Sequence, residues 1–170
     1  MKKTLSLVVS LTVIAGACAA VLAYVNSITA GPIKATAEEN ERKAVMAVMP
    51  SGAVSFDASG DVFVGKDASG AVVGYAAKGV DAGGYGGDIE LMVGFGADKR
   101  TVVCYRTLKA AETPGLGMKL NTPEFSGQFA GRDGSALKVR KDGGDIEAIT
   151  SATITSRAVC RAIANAQSRL

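Results

Sequence analysis

Val54–Lys78 reads VSFDASGDVFVGKDASGAVVGYAAK, and its short β-rich runs, broken by turn chemistry, decide the fold. Val54-Ser55-Phe56 runs into Asp57-Ala58-Ser59-Gly60, and Val62-Phe63-Val64 is followed by Asp67-Ala68-Ser69-Gly70. Asp and Ser bond their own backbone and Gly supplies positive φ, so the doubled DASG reads as two similar turns in a meander. Two units alone do not make a repeat architecture. Ala71–Lys78, Ile89–Phe95 and Thr101–Leu108 extend the set to about five strands. In the fourth, Ile89, Leu91, Val93 and Phe95 alternate with Glu90 and Met92, the period of a half-buried strand.

Beyond the meander the pattern changes. Thr122–Phe129 suits a short helix and Ala136–Arg140 a strand. Thr155–Leu170 is an amphipathic helix, with Ile154, Ala158, Val159, Ala162, Ile163, Ala166 and Leu170 on one face and Arg157, Arg161 and Ser168 elsewhere. The fold class is therefore α+β: a twisted antiparallel sheet with helices packed on one side. Upstream, Thr4–Val25 (TLSLVVSLTVIAGACAAVLAYV) carries no charge and is long enough as a helix for a hydrocarbon core of about 30 Å. Ala17-Cys18-Ala19 offers a small-residue cleavage site, but the apolar run continues past it to Val25, longer than a signal peptide needs. The segment reads as an uncleaved anchor. Lys2 and Lys3 precede it, which places the N-terminus in the cytoplasm and the domain outside, although Lys34, Arg42 and Lys43 follow on the other side. After Gly31-Pro32 the composition shifts, and Ala35–Met49 reads as a helix leaving the membrane, which Pro50-Ser51-Gly52 stops. The expected organisation is 1–3 cytoplasmic, 4–25 transmembrane, 26–50 a helical linker and 51–170 the domain.

Composition excludes much chemistry. With no His, Ser-His-Asp and Cys-His nucleophiles and His-ligated zinc, haem or iron are all ruled out. Cys18, Cys104 and Cys160 form no C-x-x-C pair, so a cluster held by this chain alone is not expected. A Cys104–Cys160 disulfide fits an oxidising compartment, and spacing does not decide it. The net charge of +3 is scattered, with no basic stripe interleaved with aromatics, and argues against nucleic acid. Redox chemistry here would need an organic cofactor.

Three segments stand out. Gly83-Gly84-Tyr85-Gly86-Gly87 leads into a strand, and its glycines suit either a hairpin turn or close approach to a flat ligand. Glu112-Thr113-Pro114-Gly115-Leu116-Gly117 makes a tight turn that presents Leu116 from a loop. The third is Asp145–Ser156 (DIEAITSATITS), just ahead of the last helix. N-capping accounts for one or two of Thr150, Ser151, Thr153, Thr155 and Ser156, but does not need all five. A helix N-terminus also favours phosphate through its free N–H groups and positive dipole end. Hydroxyls beside a phosphate site can become phosphoesters.

GGYGG, ETPGLG and GGDIEAITSATITSRAV, in that order behind a single span, resemble the FMN-binding domain of the RnfG protein of the Rnf complex, an ion-translocating ferredoxin:NAD oxidoreductase. They also resemble its relative in the sodium-translocating NADH:quinone reductase. The resemblance implies FMN carried as a phosphoester on Thr153, with Thr150, Ser151 and Ala152 completing the attachment motif. It implies that Thr113, Leu116 and Gly117 touch the cofactor, with Tyr85 and Glu112 adjacent to it, and it supplies no catalytic or metal-binding residue. Ser151 stands where the family commonly has Gly, and Ala110 where many members have His. The implied role is electron carriage between other subunits of a membrane electron-transport complex, a translocase of the cytoplasmic (inner) membrane. The implied transient partner is a flavin transferase drawing on FAD. The alternatives are an FMN module of another membrane reductase or regulator, and a flavin-free tethered binding module.

Overall fold

The computed structural model describes Lys2–Leu170, with side chains from Thr4 onward. Two compact units divide the chain, one up to Asn40 and one over Glu41–Leu170. The first unit is helix alone, part of α1 (Lys2–Val48). It is long and apolar enough to cross a membrane by length and composition, and Leu5, Leu11, Ile14, Leu22 and Val25 all face outward. A helix that is apolar all round with nothing covering it suits lipid.

The helix expected over Ala35–Met49 is continuous with the span, since α1 runs through Pro32 as one element and ends at Val48. Proline removes a single N–H donor. The following residues, ATAEENERKA, are mostly helix formers that keep the next turns bonded.

The second unit is built on five antiparallel strands: β1 (Ser55–Ser59), β2 (Val62–Lys66), β3 (Val72–Asp81), β4 (Ile89–Gly96) and β5 (Val102–Lys109). Their spatial order is the sequence order, a simple meander. The first DASG belongs mostly to β1, and the chain reverses at Gly60 (φ 63°) and Asp61 instead. The second is a true turn, in which Asp67 Oδ1 accepts from the Ser69 and Ala71 amides.

After β5 come short 3-10 turns over Gly117–Asn121, Gly127–Phe129, Gly134–Ala136 and Arg140–Asp142, with the short helix α2 (Pro123–Ser126) among them. The strand expected over Ala136–Arg140 is absent. Only Val139 bridges, to Ile146, because Gly143 (φ 81°) reverses the chain and Gly144 lies against the Lys138 backbone. The chain ends in α3 (Thr153–Gln167).

α3 crosses one face of the sheet. Ala158, Val159, Ala162, Ile163 and Ala166 pack on Ala77, Leu91, Val93 and Phe95, all buried. Below them Tyr105, Phe125 and Phe129 meet edge to face at 5.3–5.5 Å. The Tyr105 hydroxyl donates to the Leu120 carbonyl, and burial pushes its phenol pKa up. The opposite face carries a second cluster, in which Val45, Val48 and Met49 cover Phe63, Ala76 and Met92. That cover explains why Met92 is buried although the alternation had placed it toward solvent. It also separates the cysteines: Cys104 belongs to the second cluster and Cys160 to the first, and both are free thiols. Burial raises the Cys160 thiol to about 11, which leaves it inert.

The closest approach of α3 to the sheet is at Gly79, where a Cβ would collide with the Ala162 carbonyl and lie 2.9 Å from the Ala166 methyl. Gly79→Ala is expected to lower stability by about 1–3 kcal/mol without changing the far-ultraviolet circular dichroism, because α3 must lift away from β3. Thermal melting of the detergent-solubilised chain measures it.

Candidate functional site

The three motifs meet at one end of the sheet. GGYGG is the β3–β4 loop, ETPGLG follows β5, and the hydroxyl-rich segment opens α3. Carboxylates hold the first of these to α3 at both ends. Asp81 closes β3, accepts from the Gly83 amide at 2.9 Å and takes two bonds from the Arg161 guanidinium, each 2.8 Å. The Arg161 hydrogen bond holds the Asp81 carboxyl below its usual pKa. At the other end Glu112 Oε1 accepts from the Gly86 amide at 3.3 Å, while Glu112 Oε2 accepts from the Thr155 hydroxyl at 2.7 Å. Glu112 is 6% exposed and Thr155 1%. The glycines of two motifs make room for this carboxyl. A Cβ on Gly84 would collide first with the Gly87 carbonyl and would fall 2.8 Å from Glu112 Oε1, and one on Gly117 would collide with Glu112 Oε2 and fall 2.9 Å from Glu112 Cβ and 3.0 Å from Thr155 Oγ1. Gly115 (φ 75°) and Gly87 (φ 122°) are instead required by their backbone.

The start of α3 sorts the five hydroxyls. Ala152 is the N-cap residue, and no side chain caps the helix, so none of the hydroxyls plays the expected capping role. Ser156 Oγ donates to the Ala152 carbonyl at 3.0 Å and accepts from the Ile149 amide at 2.9 Å, which ties the entry loop to the first turn. Thr155 bonds Glu112, so Thr155 and Ser156 are both buried structural groups. Thr150 and Ser151 are exposed, and Thr153 is half-buried as the first residue of α3. Ser151 has φ 61°, a left-handed conformation that strains a side chain and that glycine adopts freely.

A cleft of about 590 Å³ lies between these segments. Tyr85, Glu112, Thr113, Leu116, Gly117, Ser151, Ala152 and Thr153 line it, joined by Ile154 and Thr155. Thr150 lies apart, in a neighbouring hollow with Lys119, Thr122 and Gln128. Three large apolar side chains are left open at the cleft: Tyr85 (73% exposed), Ile154 (50%) and Leu116 (43%). Ile154 corrects the helical face drawn from the sequence. At 100° per residue it falls with Arg161 and Asn165, away from Val159 and Ile163, and an aliphatic side chain among polar ones was the available signal. Thr155 carried a signal too, as a hydroxyl on the apolar face of α3. The cleft thus combines apolar walls, uncapped helix amides and a half-buried hydroxyl at the helix start. Such a site suits a flat apolar ring with an anionic tail.

Residues 84–168 match the family described as FMN-binding domain. Along nearly its whole length the chain is similar to the G component of the ion-translocating oxidoreductase complex of Methanosarcina acetivorans, 34% identical over 97% of this chain and 93% of the relative. It is 31% identical to the G component of the Na(+)-translocating ferredoxin:NAD(+) oxidoreductase complex of Acetobacterium woodii, over 88% of this chain and 83% of that one. Among solved structures, the C component of the Na(+)-translocating NADH-quinone reductase of Parabacteroides distasonis aligns with a TM-score of 0.51 and 28% identity. That alignment covers 63% of this chain and 58% of the other.

The strained turn before Thr153 has a measurable consequence. Ser151→Gly is expected to stabilise the chain by about 0.5–1 kcal/mol, the relieved strain exceeding the added unfolded-state entropy. Ser151→Val is expected to destabilise it by about 1–2 kcal/mol, since β-branching makes the left-handed region worse. Melting temperatures of the three proteins, compared under one condition, check both signs.

Proposed function

From the premise that the chain belongs to the FMN-binding domain family, alongside the G components of ion-translocating oxidoreductase complexes, we propose that it is a membrane-anchored electron carrier holding FMN as a phosphoester on Thr153. The observation that carries this reading is the placement of Thr153 at an uncapped helix start, inside a cleft with open apolar walls. The residues present fit the group. Leu116, Ile154 and Tyr85 supply apolar surface for a ring, and Thr113 and Gly117 line the same wall. The amides of the first turn of α3 face an anion with no competing cap, and the helix dipole favours negative charge there. Thr153 Oγ1 is the acceptor hydroxyl; Ser151 and Ala152 shape the turn that presents it, and Thr150 stands outside the cleft.

FMN, once bound, supplies the capacity to take and release electrons, which this chain's own side chains lack. The protein's part is to hold the group at the cleft and to keep it at the membrane. In this reading a flavin transferase delivers FMN from FAD, and the neighbouring electron carriers are other subunits of a ferredoxin:NAD-type translocating complex. The same reading puts 1–3 in the cytoplasm, the span at 4–25, a helical linker over 26–50 and the domain of 51–170 outside. Lys2 and Lys3 support that orientation.

Co-expressed with a flavin transferase, the chain is expected to gain the mass of one FMN less water on the peptide bearing Thr153. Thr153→Val keeps the β-branched shape and removes the nucleophilic oxygen. It should abolish the ultraviolet-fluorescent band on a denaturing gel while shifting stability by no more than about 1 kcal/mol. Thr150→Val, outside the cleft, should keep the band. A Thr153→Val protein that retains it would move the acceptor to another hydroxyl, and an unmodified wild type would leave the flavin-free module.

Orientation has its own check. Alkaline phosphatase fused after Leu170 should be active, and a cytoplasmic reporter at the same place silent; the reverse pattern would invert the topology.

A further inference from the structure

We propose that Glu112 is a positioning residue: through Thr155 and Gly86 its carboxyl sets the direction of the Thr153 hydroxyl and the seat of the Tyr85 loop, so that attachment at Thr153 depends on a side chain that never bonds it. The proposal rests on the attachment reading above and adds a residue role to it.

Among the described residues Glu112 is the only buried carboxyl, and no Lys or Arg is paired with it. A buried carboxyl with no cationic partner costs stability, and an apolar side chain of similar volume would sit there with less penalty. Its two oxygens bond two different segments, the Gly86 amide in the β3–β4 loop and the Thr155 hydroxyl in α3. Gly117 leaves the room that this carboxyl fills, and Gly84 borders it. Thr155 lies two residues after Thr153 in the same helical turn, and its hydroxyl reaches Glu112, not its own backbone. A bond at that point fixes the rotation of the first turn about the helix axis. Rotation of that turn swings the Thr153 Oγ1 direction, because no side-chain cap hydrogen bond pins it at Ala152. Ser156 holds the turn along the axis through Ala152 and Ile149, so Glu112 supplies the remaining restraint. On its other oxygen the same carboxyl seats Gly86, and Tyr85 is carried on that seat at the cleft mouth. Acceptor and loop are therefore set by one group.

The test uses the full-length chain co-expressed with a flavin transferase, with the initial rate of covalent FMN incorporation read by mass and by gel fluorescence. Glu112→Ala and Thr155→Val are each expected to slow incorporation by about tenfold or more, as leaving a buried hydrogen-bonding partner unsatisfied would. Thr155→Ser keeps the hydroxyl, and Glu112→Gln keeps an acceptor for Gly86 and a donor toward Thr155. Both are expected to stay within about threefold of wild type. In chains made without the transferase, hydrogen exchange at Gly86 and over residues 153–156 should speed up in the Ala and Val variants and not in the Ser variant. That readout needs no flavin. Should Glu112→Ala fail to fold, Thr155→Val decides, since it replaces one hydroxyl with a methyl. Wild-type incorporation rates in Glu112→Ala or in Thr155→Val overturn the proposal alone. A Thr155→Ser protein as slow as Thr155→Val also overturns it, because the hydroxyl would then not be the active part. A wild-type chain that never takes up FMN overturns the attachment reading, and this proposal with it.

Discussion

The contact of α3 with β3 at Gly79 is the constraint from which the rest follows. With no side chain at Gly79, the helix backbone at Ala162 settles directly on the sheet, and Ala158, Ala162 and Ala166 keep the interface thin. A helix held this closely cannot roll or slide without separating from Leu91, Val93 and Phe95 beneath it. Its N-terminus is therefore delivered to a fixed place, at the end of the sheet where the β3–β4 loop and the segment leaving β5 arrive. Asn165 adds a bond from its amide to the Val80 carbonyl near the end of β3, so the registration is polar as well as steric.

Charge completes what packing begins. The β3–β4 loop has four glycines around Tyr85 and, left alone, would sample many conformations. Arg161 and Thr155, both on α3, reach it through Asp81 and Glu112, one at each end. The loop is thus referenced to the same helix that presents Thr153. The two anchors differ in kind. Asp81–Arg161 is a bidentate ion pair with a partly exposed guanidinium, whereas Glu112–Thr155 is buried and has no cation. Burial makes the second more sensitive to the loss of either partner.

Much of this was legible from residue order. Turn chemistry and period-two alternation located the five strands to within three residues at each end, and helical spacing located α3. The failures share a cause: each turned on contacts distant in the chain. Met92 looks solvent-facing until Val45 and Val48 are brought over it. Ala136–Arg140 has strand propensity, but no partner strand lies alongside and glycine turns the chain back within a few residues. At the site, all ten cleft-lining residues fall within the three motifs, and eight of them were expected at the cofactor. What they did not carry was the role of Thr155, whose partner is 43 positions away. Nor did they show that Gly117 makes room for a carboxyl before any ligand.

The shape of the cleft bears on why attachment would be covalent. Tyr85, Leu116 and Ile154 remain largely open, so a ring resting on them buries only part of its surface, and burial is what gives a non-covalent ligand most of its affinity. A deeper pocket would bind a flavin more tightly but would also wall it off from neighbouring carriers. The proposed phosphoester on Thr153 would remove that conflict. Once the phosphate end is fixed, placing the ring becomes an intramolecular event whose effective concentration is set by a short tether, and weak contacts suffice. The demand then shifts from affinity to aim: the hydroxyl must emerge in one direction and the loop must stand at one height. Those two quantities are the ones that the bonds of Glu112 and Ser156 would restrain under the proposed attachment, and an open cleft could then hold the cofactor without enclosing it.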